Sequence, residues 1–247
     1  LNKLYGKRVE IKLVDVFVCA LPTNRSRVAL NALLVNVSDE KQKRIQQFYH
    51  LDDAYRTLIG DLLIGSIFYK RTGIHMKDVA IKKNAYGKPF FPEYPFIQYN
   101  ISHSGDYVVC VVHEHPVGID VEKVQPFDLQ LAKQLFTTRE YGDILCAENR
   151  SHACYDIWTI KESYVKALGK GLAIPLNSFQ VRKTNRNEIE LFDIHAKKRI
   201  KEFVCKQYRI DEDYKLTVCA YCAETNHIIP KAYCVSFNSL CDEVMTS

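Results

Sequence analysis

The chain has 247 residues, of which 47% are hydrophobic, 11% aromatic and 26% charged. That is more than one ordinary compact domain, with enough apolar material for a true core, and it excludes a disordered chain. Thirty-four Lys and Arg against 29 Asp and Glu leave a formal charge of +5, which suits an anionic ligand but falls short of a nucleic-acid-binding balance.

Basic residues Lys3, Lys7, Arg8 and Lys12 precede an apolar run from Leu13 to Leu21, but Asp15 interrupts it. The run reads as a half-buried strand rather than a cleaved signal, and no later run is long enough to span a bilayer. Ser38-Asp-Glu40 opens a short helix with a capping hydroxyl. Tyr55 to Ile74 places Leu58, Ile59, Leu62, Leu63 and Ile67 at helical spacing and stops at Gly73.

The same order recurs in the second half. Thr138-Arg-Glu140 opens a helix, and Tyr155 to Ile174 carries Trp158, Val165 and Leu168 on one face before ending around Gly169 and Gly171. Phe179-Gln-Val181 answers Val79-Ala-Ile81 as a strand, and Asp213 to Cys219 resembles Asp106-Tyr-Val-Val-Cys110. The shared order predicts an internal duplication. The fold class is α+β, with two pseudo-twofold-related halves, each a small, mainly antiparallel sheet packed with helices, and a ligand cleft between them. The halves fall at 1–116 and 117–226, with 227–247 a tail expected to fold back on the first. A duplication supplies within one chain the interface a dimer would provide, so a monomer is expected.

The nine cysteines, odd in number and mostly in apolar segments, predict reduced thiols and a cytoplasmic setting. Cys219-Ala-Tyr-Cys222 lacks a second ligand pair for zinc and reads as small hydrophobes on a late strand.

Three constellations carry chemistry. In Gly118-Ile-Asp-Val-Glu122, a strand projects Asp120 and Glu122 from one face; the pair serves either as hard donors for Mg²⁺ or as the solvated side of an amphipathic strand. Glu162 and Lys166 are neighbours on one helix face, either a surface ion pair or, if the helix borders the cleft, a third carboxylate and a cation beside a phosphate. Gly87-Lys88-Pro89 and Asn100-Ile-Ser102-His103-Ser104-Gly105 form either plain turns or a set of phosphate donors. Neither G-x-x-x-x-G-K-[ST] nor a G-x-G-x-x-G after a strand occurs, which argues against Walker-type ATP hydrolysis and dinucleotide redox chemistry.

Gly-Lys-Pro, Asn-Ile-Ser-His-Ser, Gly-Ile-Asp-Val-Glu and Trp-x-x-Lys-Glu-Ser-x-x-Lys-x-x-Gly-x-Gly-Leu, in that order, together with the stretch Arg44 to Asp61, resemble the Sfp-type 4′-phosphopantetheinyl transferases from about Ser38 through Phe179. The resemblance implies transfer of 4′-phosphopantetheine from coenzyme A to a serine of an apo carrier protein, releasing adenosine 3′,5′-bisphosphate, in the manner of a holo-carrier-protein synthase (EC 2.7.8.7). It implies that Asp120, Glu122 and Glu162 hold Mg²⁺ (or Mn²⁺). Glu162 would be the base, with Glu140 behind it, and Lys166 and Lys161 would stabilise the departing phosphate. Lys88, Ser102 and His103 would grip phosphates of coenzyme A, and Lys41, Arg44 and Arg56 its 3′-phosphate. Apo carriers of peptide, polyketide or fatty-acid synthases are the implied partners, with no nucleic acid and no membrane. The segment Lys123 to Phe136, which leaves the Asp120 strand directly, is the expected docking surface, with Leu131 and Phe136 equally readable as core. The rival readings are a Mg²⁺-dependent phosphohydrolase using the same carboxylates and a module binding RNA or another anionic surface.

Overall fold

Alternate residues of one strand, Tyr107–His113, enter two different cores, and that division organises the molecule. The computed structural model describes residues 14–184, 188–222 and 232–246. Lys3, Lys7, Arg8, Lys12 and the start of the tail lie outside the described residues. In chain order the elements are β1 (Asp15–Ala20), α1 (Arg27–Leu33), α2 (Asp39–Gln46), α3 (Leu51–Thr72), β2 (Lys82–Lys83), β3 (Pro89–Phe90), β4 (Gln98–Ser104), β5 (Tyr107–His113) and β6 (Val117–Lys123). Then come α4 (Leu129–Leu135), α5 (Thr138–Cys146), α6 (Arg150–Leu168), β7 (Phe179–Lys183), β8 (Ile189–Asp193), β9 (Lys198–Tyr208), β10 (Tyr214–Tyr221), β11 (Tyr233–Val235) and α7 (Phe237–Thr246).

One sheet runs β11-β1-β5-β4 and the other β6-β10-β9-β8-β7. Pairing is antiparallel throughout, except that β11 lies parallel to β1. From β5, Val108, Cys110 and Val112 pack under α3, whereas Val109 and Val111 face Val117, Ile119 and Val121 of β6 and Leu216 and Val218 of β10. The second set is the core between the sheets, and it is built from β-branched residues that fit a pleated, doubly covered surface. Helix α6 covers the outer face of the second sheet through Ile160, Val165 and Ala167.

The duplication is visible in the elements. β5 and β10 are matched central strands, each between two antiparallel neighbours. The long helices α3 and α6 both stop on a glycine in the left-handed region, Gly73 at φ 72° and Gly169 at φ 66°, a conformation that costs other residues a Cβ clash.

Three expected details differ. Ser38 precedes α2 but makes no side-chain capping bond. The cap of α5 is Thr137, not Thr138, and it forms a capping box with Glu140. Residues 79–81 are not a strand; the nearest pairing is the short hairpin of β2 and β3. The described part of the tail adds β11 to the edge of the first sheet and sets Leu240 into the α3 core. All nine cysteines are free, and among the described residues no helix is long and apolar enough to cross a membrane.

Candidate active site

Helix α6 lies hard against β6, because at Gly118 a Cβ would meet the Ser163 carbonyl oxygen at 2.1 Å and the Ala167 nitrogen at 2.4 Å. No other residue allows that approach. It brings Asp120 and Glu122, on the helix side of the strand, next to Trp158, Glu162 and Lys166, which recur every four residues along α6. With Ile101, Ser102 and His103 of β4 they line an open pocket of about 300 Å³. A larger cleft of about 560 Å³ lies farther along α6 beside Asp156. Its acids are Asp156, Asp211 and Glu212, but Asp156 is already paired with Lys215 at 3.1 Å and Lys183 at 3.7 Å, and Glu212 with Arg209 at 3.1 Å.

The free edge of β6 is met by side chains of β4 rather than by another strand. Asn100 Oδ1 accepts from the Ile119 amide at 2.9 Å, Ser102 Oγ from Val121 at 3.4 Å, and Ser104 Oγ from Lys123 at 3.0 Å. The same two hydroxyls donate to the carboxylates, Ser102 to Asp120 Oδ1 at 3.1 Å and Ser104 to Glu122 Oε2 at 2.8 Å. Asn-x-Ser-x-Ser, expected as either a plain turn or a turn of phosphate donors, is strand rather than turn, and its side chains form a seam that joins the sheets and orients both acids. Lys166 Nζ donates to Asp120 Oδ1 at 2.5 Å and to Ser102 Oγ at 3.0 Å.

Burial pushes the carboxyl of Asp120 up, against the pull of Lys166. Burial, then repulsion from Asp120, raises Glu122 and Glu162 as well. His103 is held low by burial and then by the charges of Arg56 and Lys166. Asp120 Oδ2 is buried with no hydrogen-bond partner, an arrangement that costs free energy unless a cation or donor meets it. Among the described residues, no group of three or more His, Cys, Asp and Glu forms a ready-made metal cage. Mg²⁺ does not require one: it binds a few protein carboxylates directly or through water and completes its octahedron with phosphate and water. The hard, mutually repelling donors and the unmet Asp120 oxygen fit it.

Other expected residues lie elsewhere. Lys88 does not line the pocket; its ammonium donates to the carbonyls of Lys166 at 2.7 Å, Val117 at 2.9 Å and Ala167 at 3.3 Å. Lys161 and Glu140, expected at the reacting centre, are paired in the interior instead. Their distance from the pocket follows from helix geometry: Lys161 lies about 100° around α6 from Glu162, facing β7 and not β6. Lys161 also donates to the Leu176 and Phe179 carbonyls, and Glu140 accepts from the Val181 amide. Lys41 is bonded to Asp61 at 3.0 Å, and the charge of Arg44 also reaches that carboxyl. Arg56 donates to Asp53 at 2.7 Å and to the Gly105 carbonyl at 2.6 Å, beside His103. On the segment expected to dock a partner, Phe136 is core, whereas Leu131 is exposed and Phe127 packs toward Tyr155 and Trp158. Trp158, expected on one face of the helix with Val165 and Leu168, is half-buried against the α4–α5 cluster and lines the pocket.

The family model described as 4′-phosphopantetheinyl transferase superfamily matches residues 116–219, and that described as 4′-phosphopantetheinyl transferase, N-terminal, matches residues 24–115. The chain is 40% identical over 188 residues to 4′-phosphopantetheinyl transferase Sfp of Bacillus subtilis (strain 168), covering 74% of this chain and 82% of the relative. It is 35% identical over 222 residues to 4′-phosphopantetheinyl transferase gsp of Aneurinibacillus migulanus, covering 89% and 91%. A solved holo-[acyl-carrier-protein] synthase from Neisseria meningitidis aligns more distantly, with 16% identity and a TM-score of 0.37 over 43% of this chain and 96% of its own. With relatives this similar across most of both chains, the protein belongs to the Sfp-type 4′-phosphopantetheinyl transferases.

Proposed function

We propose that the pocket between β4, β6 and α6 binds the pyrophosphate of coenzyme A and transfers its 4′-phosphopantetheine to a serine hydroxyl of an apo carrier protein, as a holo-carrier-protein synthase. The observation that carries this reading is the three-carboxylate wall facing Lys166 and His103, with one buried Asp120 oxygen unmet. Acids alone would repel a pyrophosphate, and cations alone would leave the acids unexplained. Mg²⁺ or Mn²⁺ held by Asp120, Glu122 and Glu162 would neutralise charge on the bridging and leaving oxygens.

A serine hydroxyl is a weak nucleophile until a base takes its proton. Glu162 fills that role directly or through water, since its carboxylate lines the pocket one helical turn from Lys166 and beside Asp120. Lys166 stabilises the charge on the phosphate of the departing adenosine 3′,5′-bisphosphate as the serine oxygen bonds to the phosphorus of the pantetheine phosphate. Ser102 positions both Lys166 and Asp120. Arg56 and His103 meet the 3′-phosphate of the nucleotide, and Lys41 and Arg44 add positive charge from α2.

Carrier domains of peptide synthetases suit a chain with tryptophan three residues ahead of Lys161-Glu162-Ser163, and half-buried Lys123 and the exposed residues Leu131 and Lys133 lie on the segment that leaves β6 directly. The deciding experiment incubates the protein with coenzyme A, Mg²⁺ and an apo carrier. A carrier mass gain of one phosphopantetheine arm is the expected result. Coenzyme A hydrolysis without that gain would select the phosphohydrolase reading instead.

A further inference from the structure

The hairpin of β2 and β3 reaches out of the first half and closes on the end of α6. Its turn is built by Asn84, whose Oδ1 accepts from the amides of Tyr86 at 2.9 Å and Lys88 at 3.0 Å, an Asx turn that fixes the backbone locally. The other end of that amide, Nδ2, donates to the Gly169 carbonyl at 2.8 Å. Lys88 Nζ takes the carbonyls of Lys166 and Ala167, and with the same ammonium the Val117 carbonyl at the start of β6. Gly169 gives room for this contact: a Cβ there would come within 2.9 Å of Lys88 Cδ and 3.2 Å of Asn84 Nδ2.

The last carbonyls of a helix have no partner within it, and its C-terminal end carries partial negative charge. A buried ammonium and an amide meet both needs here. Lys88 joins the strand that bears Asp120 and Glu122 to the helix that bears Glu162 and Lys166, and one of the carbonyls it holds belongs to Lys166 itself. Burial lowers the Lys88 ammonium to about 8, as expected for a cation drawn out of water to meet neutral carbonyls.

We propose that Lys88 and Asn84 are positioning residues, a clamp from the first half that sets the last turn of α6, and with it Lys166 and Glu162, against β6. The kinetic part of the test rests on the transferase reading above; the exchange part does not.

The test compares wild type with Lys88→Met and Asn84→Asp. The second variant keeps the Oδ1 acceptor of the turn and replaces the donor to Gly169 with a carboxylate oxygen that repels that carbonyl. Amide hydrogen exchange is followed in the last turn of α6 (residues 165–169) and in its first turns (residues 153–157). Exchange at 165–169 should accelerate at least ~10-fold in each variant, with 153–157 unchanged. Turnover should fall ~10–100-fold for Lys88→Met, in line with the cost of displacing a reacting group by about 1 Å. The Michaelis constant for coenzyme A should stay within about twofold. A raised constant for coenzyme A with normal exchange would make Lys88 a ligand contact and overturn the proposal. Uniformly faster exchange along the whole helix in both variants would also overturn it, as general destabilisation. If Lys88→Met does not fold, Asn84→Asp gives the same two readouts. If wild type transfers nothing to a carrier, the function fails while the exchange pattern still decides the clamp.

Discussion

Lys161 Nζ stands 2.9 Å from Glu140 Oε1, with the two side chains 0% and 1% exposed. Neither can reach a substrate. Glu140 also closes the capping box of α5 and holds the Val181 amide, and Lys161 lies 4.4 Å from the centre of the Phe179 ring. Three elements, α5, α6 and β7, therefore meet on one ion pair.

Removing one partner leaves an uncompensated buried charge, at a cost of about 3–5 kcal/mol. Lys161→Met and Glu140→Gln should each lower the thermal midpoint by roughly 6–20 °C in a chain of this size. The double variant should lose much less than the sum, as a double-mutant cycle would read. The folded fraction should keep most of its transfer rate at permissive temperature. Two additive losses, or normal stability with abolished turnover, would return the pair to the chemistry.

Asp120→Asn should behave in the opposite way. Turnover should fall at least ~100-fold, since charge neutralisation of a pyrophosphate supplies several kcal/mol. Without divalent cations the thermal midpoint should hold or rise, because the change removes a buried carboxylate that also repels Glu122 and Glu162. The gain in midpoint that Mn²⁺ gives the wild type should disappear. A lower midpoint together with retained activity would show that Asp120 serves the fold.

Arg56→Ala tests the nucleotide end. Its guanidinium is fastened to Asp53 and Gly105 beside His103, so it is pre-set for a phosphate. Coenzyme A should bind the variant more weakly by ~1–3 kcal/mol, the range for a charge-assisted contact. Dephospho-coenzyme A should bind both proteins alike. Calorimetric titration of the two ligands reads the difference, and equal losses for both would remove Arg56 from the 3′-phosphate.

The docking of α7 should weaken in acid. Burial pushes the Glu243 carboxyl up, but bonds from Lys70 at 2.7 Å and Ser66 at 2.6 Å outweigh it and hold the group below its ordinary 4.5. A depressed carboxylate binds fewer protons folded than unfolded, so its contribution is complete above 4.5 and fades as pH falls through the folded value. With so exposed a pair the effect is under ~1 kcal/mol. Wild type should melt slightly above Glu243→Gln at pH 7, and the gap should close as the pH falls below the ordinary 4.5. A gap that widened in acid would contradict the sign.

The sequence made some of this legible and hid the rest. Gly118-Ile-Asp-Val-Glu122 and the four-residue rhythm of Trp158, Glu162 and Lys166 identify one strand face and one helix face, and those faces meet. The same rhythm sets Lys161 on another face, a signal that the family resemblance overrode. Thr137-Thr-Arg-Glu140 spells a capping box one residue before the expected cap. The destination of Lys88 could not be read, because its carbonyl partners lie 29, 78 and 79 residues away and carbonyls carry no side-chain code. Ser102 and Ser104 alternate as strand residues should, yet nothing in their spacing says that β6 would lack a neighbour there.

That missing neighbour bears on what can be done with the protein in pieces. A bare sheet edge, with its row of unpaired amides, is a template for pairing with another chain. In this fold the edge of β6 is sealed by the side chains of Asn100, Ser102 and Ser104. Expressed alone from residue 117 onward, the second half would present that edge to solvent together with Val117, Ile119 and Val121, which the first half now covers. Such a fragment is built to aggregate, however complete its carboxylates.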